Sequence, residues 1–379
     1  MKQKEYLDTG LYPIIDQGES FIGGYTNSDA GIISDIPLIV FGDHTRRFKY
    51  IDFPFVAGAD GLKIYKPIYT DIKFSYYQCL SLDFPNKGYA RHNAFLQKCN
   101  FMIPPLAEQK RIVGKIEELF AEVDNGIDLL KQKQAELKKY RRSVLSAVFS
   151  GKLYKTTEWQ TVQLKDICEK ILGGGTPSKE VTEYFNGTIP FMTVKDMIST
   201  RPTDTQWHIT EEAVKSCPTN IIPADTIIIA TRVGLGKILR ANFDTTINQD
   251  LRALFLKNNI NKDFAEFLLI YLTPKIIAKG RGTTVKGISL PDLKSLSFML
   301  PSLPEQEQIV AEIEQRFEKA DILEKSIENA LESAEKLKQS ILKKAFEGKL
   351  VPQDPNDEPA SVLLDRIKSE QTPKKGKKK

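Results

Sequence analysis

The sequence predicts an α+β protein arranged as globule, rod, globule, rod, with a pseudo-twofold relation between its halves. Three observations carry this. Residues 101–153 align with residues 298–350 at an offset of 197 without a gap, and 19 of the 53 aligned positions are identical. Each copy contains a long proline-free stretch with apolar residues at coiled-coil spacing. The segments before the copies contain short β-branched or aromatic runs broken by Gly, Asn and Asp.

A chain of 379 residues with 41% hydrophobic and 27% charged residues has room for two or three ordinary globular domains. No apolar run approaches the roughly 18 residues that cross a bilayer, and Met1-Lys-Gln-Lys-Glu5 does not open a signal peptide, so a cytoplasmic protein is expected. Cys79, Cys99, Cys168 and Cys217 lack C-x-x-C spacing, and His44, His92 and His208 are widely scattered. They predict free, mostly buried thiols and no metal site. The net charge of +5 is accounted for by Lys374, Lys375, Lys377, Lys378 and Lys379, which leaves the rest of the chain near neutrality. Binding to DNA would therefore need cations gathered locally or supplied by a partner.

Residues 1–98 form the first predicted globule, with Ile36-Pro-Leu-Ile-Val-Phe41 as a strand and a helical insertion from Asp71 to Leu80. Residues 99–153 form the first rod, which runs without proline after Pro105. Its seam is Ile112, Ile116, Leu119, Val123, Leu130, Leu137 and Val144. The second globule, 154–297, has Thr226-Ile-Ile-Ile-Ala230 as a strand and a helical insertion from Lys262 to Leu272. The aromatic residues of both insertions are expected in the core. Residues 298–350 form the second rod, with Pro304 suited to a first helical turn. Its seam is Ile309, Ile313, Ala320, Leu323, Ile327, Ala330, Ala334, Leu337 and Ile341. Rods of about 60 Å, at 1.5 Å per residue, are too long to bury in one small domain, which predicts an antiparallel coiled-coil spacer between them. Residues 351–379 give an amphipathic piece at Ala360–Ile367 and a lysine tail expected to be disordered.

Several stretches resemble the specificity subunits of type I restriction-modification systems. The carriers are Ile103–Glu117 and Leu300–Glu314, both of the form I/L-P-x-L-x-E-Q-x-x-I-V-x-x-I-E, and the endings Phe149-Ser-Gly-Lys-Leu153 and Phe346-Glu-Gly-Lys-Leu350. Trp159 followed by Leu164-Lys-Asp-Ile167, Gly174-Gly-Thr-Pro-Ser178, Leu38–Arg46 and Gly58-Ala-Asp-Gly61 add to them. The resemblance implies that each globule is a target-recognition domain reading one half of a bipartite DNA site. It implies that the helices set the spacing between the halves and dock methyltransferase subunits, expected to be two. Restriction subunits would join through the complex, and S-adenosylmethionine, ATP and Mg would act in those partner subunits, with no cofactor in this chain. A bacterial or archaeal cytoplasm follows from the same resemblance.

One departure stands out. Matching Leu11-Tyr-Pro13 to Thr188-Ile-Pro190 leaves the first globule without a counterpart of Trp159–Ser178. The first recognition domain is therefore expected to lack its N-terminal part, and its half-site reading to be impaired. A coiled-coil interaction protein or half-site reader remains the alternative.

DNA reading calls for Arg or Lys at guanine and phosphate, Asn or Gln at adenine, and Ser or Thr at phosphate. In the first globule the candidates are His44, Arg46, Arg47, Lys49, Lys63, Arg91, His92 and Asn93, the last three from Tyr89-Ala-Arg-His-Asn93. In the second they are Thr193, Lys195, Thr231, Arg232, Lys237, Arg240, Asn248, Gln249, Lys279, Arg281, Thr283, Thr284 and Lys286. The stretch Lys279–Lys286 combines two glycines, which let a backbone approach phosphate, with cations. Gly173-Gly-Gly-Thr-Pro-Ser178 lacks the G-K-[ST] of a P-loop and is expected to be a tight turn near the DNA surface, and Val233-Gly-Leu-Gly-Lys237 is expected to be a strand turn. No G-x-S-x-G, H-E-x-x-H or N/D-P-P-F/Y motif occurs, so catalysis is expected in partner chains.

Overall fold

The computed structural model describes residues 3–58, 61–84, 91–153 and 158–371. Tyr89, Tyr154 and the lysines from Lys374 onward lie outside the described residues. The chain divides into two compact units, Met1–Gln132 with Ile327–Lys379, and Lys133–Ser326. Each unit holds one globule together with part of both long helices.

The first unit opens with β1 (Tyr12–Ile15), β2 (Gly24–Thr26), β3 (Ile32–Ile33), β4 (Leu38–Gly42), β5 (Phe48–Ile51), β6 (Phe55–Ala57) and β7 (Leu62–Tyr65). These form two sheets, ordered β2-β1-β6-β3 and β5-β4-β7. The apolar run Leu38–Phe41 is buried throughout because β4 is central and covered on both faces. Leu38 and Val40 join one core with Ile15, Ile51 and Phe55, while Ile39 and Phe41 join another with Phe48, Cys79 and Leu96. The two-residue period of a strand sends alternate side chains to opposite cores. Helix α1 (Ile72–Leu80) starts at Asp71, whose carboxylate accepts from the Phe74 amide at 2.9 Å. Helix α2 (Asn93–Leu96) is one short turn, and the long helix α3 (Leu106–Phe149) follows.

The second unit repeats this plan with additions. In chain order it contains β8 (Gln160–Gln163), α4 (Leu164–Ile167), β9 (Cys168–Gly173), β10 (Ile189–Met192), β11 (Trp207–Ile209), α5 (Glu211–Ser216), β12 (Ile227–Ala230), β13 (Ile238–Arg240), β14 (Thr246–Ile247) and β15 (Leu251–Leu256). There follow α6 (Lys262–Ala278), α7 (Leu290–Lys294), β16 (Ser297–Leu300) and the long helix α8 (Leu303–Phe346). Strand β10 lies antiparallel to β11 and parallel to β14, as β1 lies against β2 and β6. The run Ile227–Ala230 is again a central strand, with Ile227 and Ile229 in one core and Ile228 and Ala230 in another. Its sheet has four strands, β13-β12-β15-β9, and a separate pair joins β16 to β8. Among the described residues, the first unit's β5-β4-β7 sheet has no counterpart of β9, and no strand pair corresponds to β8 and β16.

The long helices pack antiparallel, since the start of α3 meets the end of α8 in one unit and the converse holds in the other. Ile112, Val113 and Ile116 cluster with Ile341, Leu342 and Ala345, and Val144, Leu145 and Val148 share a core with Ile309, Val310 and Ile313. The buried seam includes Ile112, Ile116, Leu137, Val144, Ile309, Ile313, Ala320, Ile327 and Ile341, while Leu119, Val123, Leu130, Ala330 and Ala334 are partly exposed. Ile127 and Val148 also belong to it and escaped the heptad reading.

Leu323 and Leu337 do not belong, because each is 50% exposed. The neighbouring Glu324 and Lys338 face the partner helix instead. Arg141 pairs with Asp321 at 2.5 Å and Glu324 at 2.8 Å with its guanidinium over the Phe317 ring; Lys338 pairs with Asp124 at 2.5 Å with its ammonium over Phe120. Arg141, Phe120 and Asp124 align with Lys338, Phe317 and Asp321 at the repeat offset of 197. The pseudo-twofold relation thus extends to individual cross-helix contacts.

The amphipathic piece expected at Ala360–Ile367 lies within a helix, and the lysine tail lies outside the described residues. Helix α9 (Ala360–Gln371) buries Leu363, and Asp357 forms a two-pronged pair with Arg111 near the start of α3, at 3.2 and 2.6 Å. In the second unit the residues after α3 behave similarly, with the Trp159 indole donating to Glu305 near the start of α8 at 3.1 Å.

Candidate nucleic-acid interface

In the first unit, the hairpin between β4 and β5 carries His44, Arg46 and Arg47. Arg46 sits at φ 60°, where its amide returns to the Gly42 carbonyl at 2.8 Å. Its guanidinium lies 3.5 Å from the Phe84 carbonyl, and Arg47 pairs with the exposed Glu19. Lys63 and Arg91 are exposed. Lys49, His92 and Asn93 have structural roles that remove them from the DNA-facing set. Lys49 is 5% exposed and donates to the carbonyls of Asp16 and Ser20 at 2.8 and 2.7 Å, and burial holds its pKa below the ordinary lysine value. His92 is 2% exposed with its ring Nδ1 3.0 Å from the Asp43 carbonyl, the Asn93 side-chain oxygen accepts from the Tyr65 hydroxyl, and the Asp43 carboxylate accepts from both backbone amides at 2.7 Å, which ties the start of α2 to the β4 end.

The second unit brings more of its candidates together. A cavity of about 720 Å³ is lined by Thr193, Lys195, Asn248 and Gln249, joined by Thr176, Lys179, Trp207, Val233 and Asp250. Thr193 caps the turn 194–196, accepting from the Lys195 amide and donating to the buried Asp196 at 2.8 Å, which leaves Lys195 exposed at the rim. The Asn248 side chain is buried against Asp250, with its amide donating at 3.2 Å and its oxygen accepting from the Asp250 amide at 3.1 Å. Gln249 is exposed, and Thr176 donates to its side-chain oxygen. Trp207 is 48% exposed and braced edge-on by Phe185, with ring centroids 5.7 Å apart. Thr176, Lys179 and Trp207 were not among the predicted site residues. Trp207 leaves a sequence signal, an aromatic residue in the polar stretch Asp204-Thr-Gln-Trp-His208.

Within Gly173–Gly175, Gly174 is the position that meets backbone most closely. A Cβ on Gly174 would fall 1.8 Å from the Ile247 carbonyl oxygen, and the Gly175 amide donates to that oxygen at 3.2 Å. Gly174 and the Gly175 amide thus seat the Thr176 loop against Ile247-Asn248 and so build the cavity wall.

Next to the cavity lies the loop 279–287. Arg281 and Gly287 exchange backbone hydrogen bonds at 2.8 and 2.9 Å, and Gly282 turns the chain at φ 124°. Lys279, Arg281, Thr283, Thr284 and Lys286 are all exposed, and Arg281 reaches Asp292 only at 3.7 Å. The Ile288 amide donates to Thr231, whose own amide donates to the Asp250 carbonyl, and Arg232 approaches Asp250 at 3.6 Å. The loop and the cavity are therefore parts of one face.

Two second-unit candidates, Thr231 and Arg240, serve the fold, and a third, the exposed Lys237, is engaged with backbone. Thr231 is buried with its hydroxyl on the Asp250 carbonyl, and the Lys237 ammonium donates to the Met197 carbonyl at 3.2 Å. Arg240 is 6% exposed and ion-paired to Asp225 at 3.1 Å, to Asp263, and to Glu266 at 2.7 Å. A cation surrounded by three carboxylates presents no net positive charge to DNA.

Among the described residues no cluster of His, Cys, Asp or Glu could hold a metal ion. Burial pushes the Cys79 thiol up to about 12 and Cys168 to about 11, whereas Cys99 and Cys217 are only partly buried. Among the described residues no helix is long and apolar enough to cross a membrane.

Residues 1–139 and 156–333 match the family described as the type I restriction modification DNA specificity domain. The chain belongs to this family. It is 32% identical over 364 residues to the specificity subunit of the type I restriction enzymes EcoR124I/EcoR124II of Escherichia coli, covering 89% of this chain and 86% of that one. It is 30% identical over 318 residues to the EcoBI specificity subunit of the same organism, covering 75% of this chain and 67% of that one. A solved structure from work on complex assembly and conformational transition of the type I R-M system superposes with a TM-score of 0.66 at 21% identity, over 89% of this chain and 92% of the other. That likeness speaks to the fold. The family's model matches the chain twice, once over each half of the internal repeat.

Proposed function

We propose that the chain is the DNA-recognition subunit of a type I restriction-modification complex, with each unit reading one half of a bipartite site. The observation that carries this is the face of the second unit. There, a cavity bearing Lys195, Gln249 and Trp207 adjoins a glycine-turned loop bearing Arg281 and Lys286. Cations at the rim suit phosphates, and an exposed amide suits a base edge. The antiparallel helices, each about 66 Å long at 1.5 Å per residue, hold the spacing between half-sites and offer docking surfaces to two methyltransferase subunits. Restriction subunits join through that assembly in the cytoplasm. Catalysis, with S-adenosylmethionine, ATP and Mg, belongs to those partners.

The test is reconstitution in cells with a type I methyltransferase subunit, followed by sequencing of methylated adenines. A bipartite asymmetric motif that depends on this chain is expected; methylation or cleavage by the isolated chain would refute the assignment. A second reading is favoured by the three-stranded β5-β4-β7 sheet of the first unit, which lacks a counterpart of β9 among the described residues. Under it, the chain acts mainly through its helices and reads DNA with the second unit alone. A palindrome or a single half-site motif would be its signature.

A further inference from the structure

The repeated Glu-Gln of the two helix starts contains a buried side chain with two matching hydrogen bonds in both copies. Gln109 and Gln306 are 0% and 1% exposed. The Gln306 side-chain oxygen accepts from the backbone amide of Asn261 at 2.9 Å, and its nitrogen donates to the Pro301 carbonyl at 3.1 Å. The Gln109 oxygen accepts from the backbone amide of Asp71 at 2.7 Å, and its nitrogen donates to the Pro104 carbonyl at 2.8 Å.

The two amides share a place in the fold. Asn261 is the N-cap of α6, and its side chain accepts from the amides of Asp263 and Phe264; Asp71 is the N-cap of α1 and accepts from Phe74. Each glutamine therefore bridges the entry of a long helix to the first turn of the helix inside its own recognition domain. An apolar residue of the same size would fill either site but leave the N-cap amide, which is partly buried, and a proline carbonyl without their side-chain partner. Packing alone does not require an amide here, whereas fixing the rotation of one helix end against another does.

We propose that Gln109 and Gln306 are positioning residues that pin each recognition domain to the helix spacer and so set the strictness of half-site spacing. This rests on the bipartite reading above. Each pin joins two elements of one unit, so its loss loosens the domain on its own helix without touching the DNA-facing loops. The half-site sequences stay as they are, while sites with one base pair more or fewer between the halves become substrates.

The experiment uses the full chain with its methyltransferase partner and a library holding both half-sites at every spacer from two below to two above the natural length. The wild type is expected to prefer one spacer over its neighbours by at least about tenfold. Gln306→Met and Gln109→Met are expected to cut that preference by about two- to twelvefold each, the equivalent of one net hydrogen bond of about 0.5–1.5 kcal/mol. Gln306→Glu, which sets a carboxylate oxygen against the Pro301 carbonyl where the amide donated, is expected to lose at least as much of the preference as Gln306→Met. Hydrogen exchange at the Asn261 amide gives a second readout, faster in Gln306→Met than in the wild type. A spacer preference unchanged in both methionine variants, with Asn261 exchange accelerated, overturns the pin and leaves the bipartite reading intact. A wild type that methylates no bipartite site overturns both.

Discussion

Arg240 separates a structural cation from a DNA-binding one. Replacing it with Met removes the pairs to Asp225, Asp263 and Glu266. The two aspartates are 54% and 40% exposed, so water compensates them, but the Glu266 side chain is 6% exposed. Breaking a buried pair from one side costs about 3–5 kcal/mol. Arg201, which holds Glu266 through two hydrogen bonds of 2.6 and 2.7 Å, offsets part of that and brings the loss to about 2–4 kcal/mol. For a unit of this size each kcal/mol lowers the melting temperature by about 2–4 °C, so Arg240→Met should melt roughly 5–15 °C early. Thermal circular dichroism measures this, with DNA affinity taken well below the transition, where it should match the wild type. The paired change Arg281→Ala with Lys286→Ala should do the reverse. Its melting temperature should move by no more than about 1–2 °C, while the salt dependence of DNA binding should flatten by about 0.9 in log-log slope per lost phosphate contact. An Arg240→Met protein that melts with the wild type yet binds DNA poorly would refute the assignment.

Three further outcomes are expected. Hydrogen bonds from the Ser302 hydroxyl and amide, and from the Trp159 indole, hold the Glu305 carboxyl below the usual glutamate range. A depressed folded pKa contributes stability that is present above the ordinary value of about 4.3 and is lost as pH falls through the lower folded value. Trp159 emission should therefore change below about pH 4.3 in the wild type and lose that pH dependence in Glu305→Gln. Asp357→Ala should free the C-terminal segment from Arg111 and speed limited proteolysis between α8 and α9, whereas Asp354→Ala should not. A disulfide reagent at pH 8 should modify Cys217 and Cys99 well before Cys79 and Cys168, whose buried thiols sit at about 12 and 11; equal rates at all four would contradict the cores described here.

Much of this architecture was legible in the sequence because it is written twice. The Phe101 and Phe298 repeats marked both helices, and Leu38–Phe41 and Ile227–Ala230 announced central strands by being apolar at every position. Leu323 and Leu337 were misplaced because an apolar spacing pattern does not show that Glu324 and Lys338 face the seam to meet Arg141 and Asp124. Lys49, His92 and Arg240 looked like DNA contacts for a related reason. Their partners Asp16, Asp43 and Glu266 lie 33, 49 and 26 positions away, and composition does not disclose such pairing. The amphipathic run at Ala360–Ile367 announced α9, but the pairing of Asp357 with an arginine 246 positions earlier was hidden.

The central claim is that the two units read separate halves of one site. Exchanging residues 158–300 for the matching segment of another specificity subunit, and sequencing the methylated adenines in cells with the same methyltransferase partner, tests it most directly. One half of the motif should change while the other half and the spacer length stay fixed. A motif that changes in both halves, or keeps both, would contradict the account.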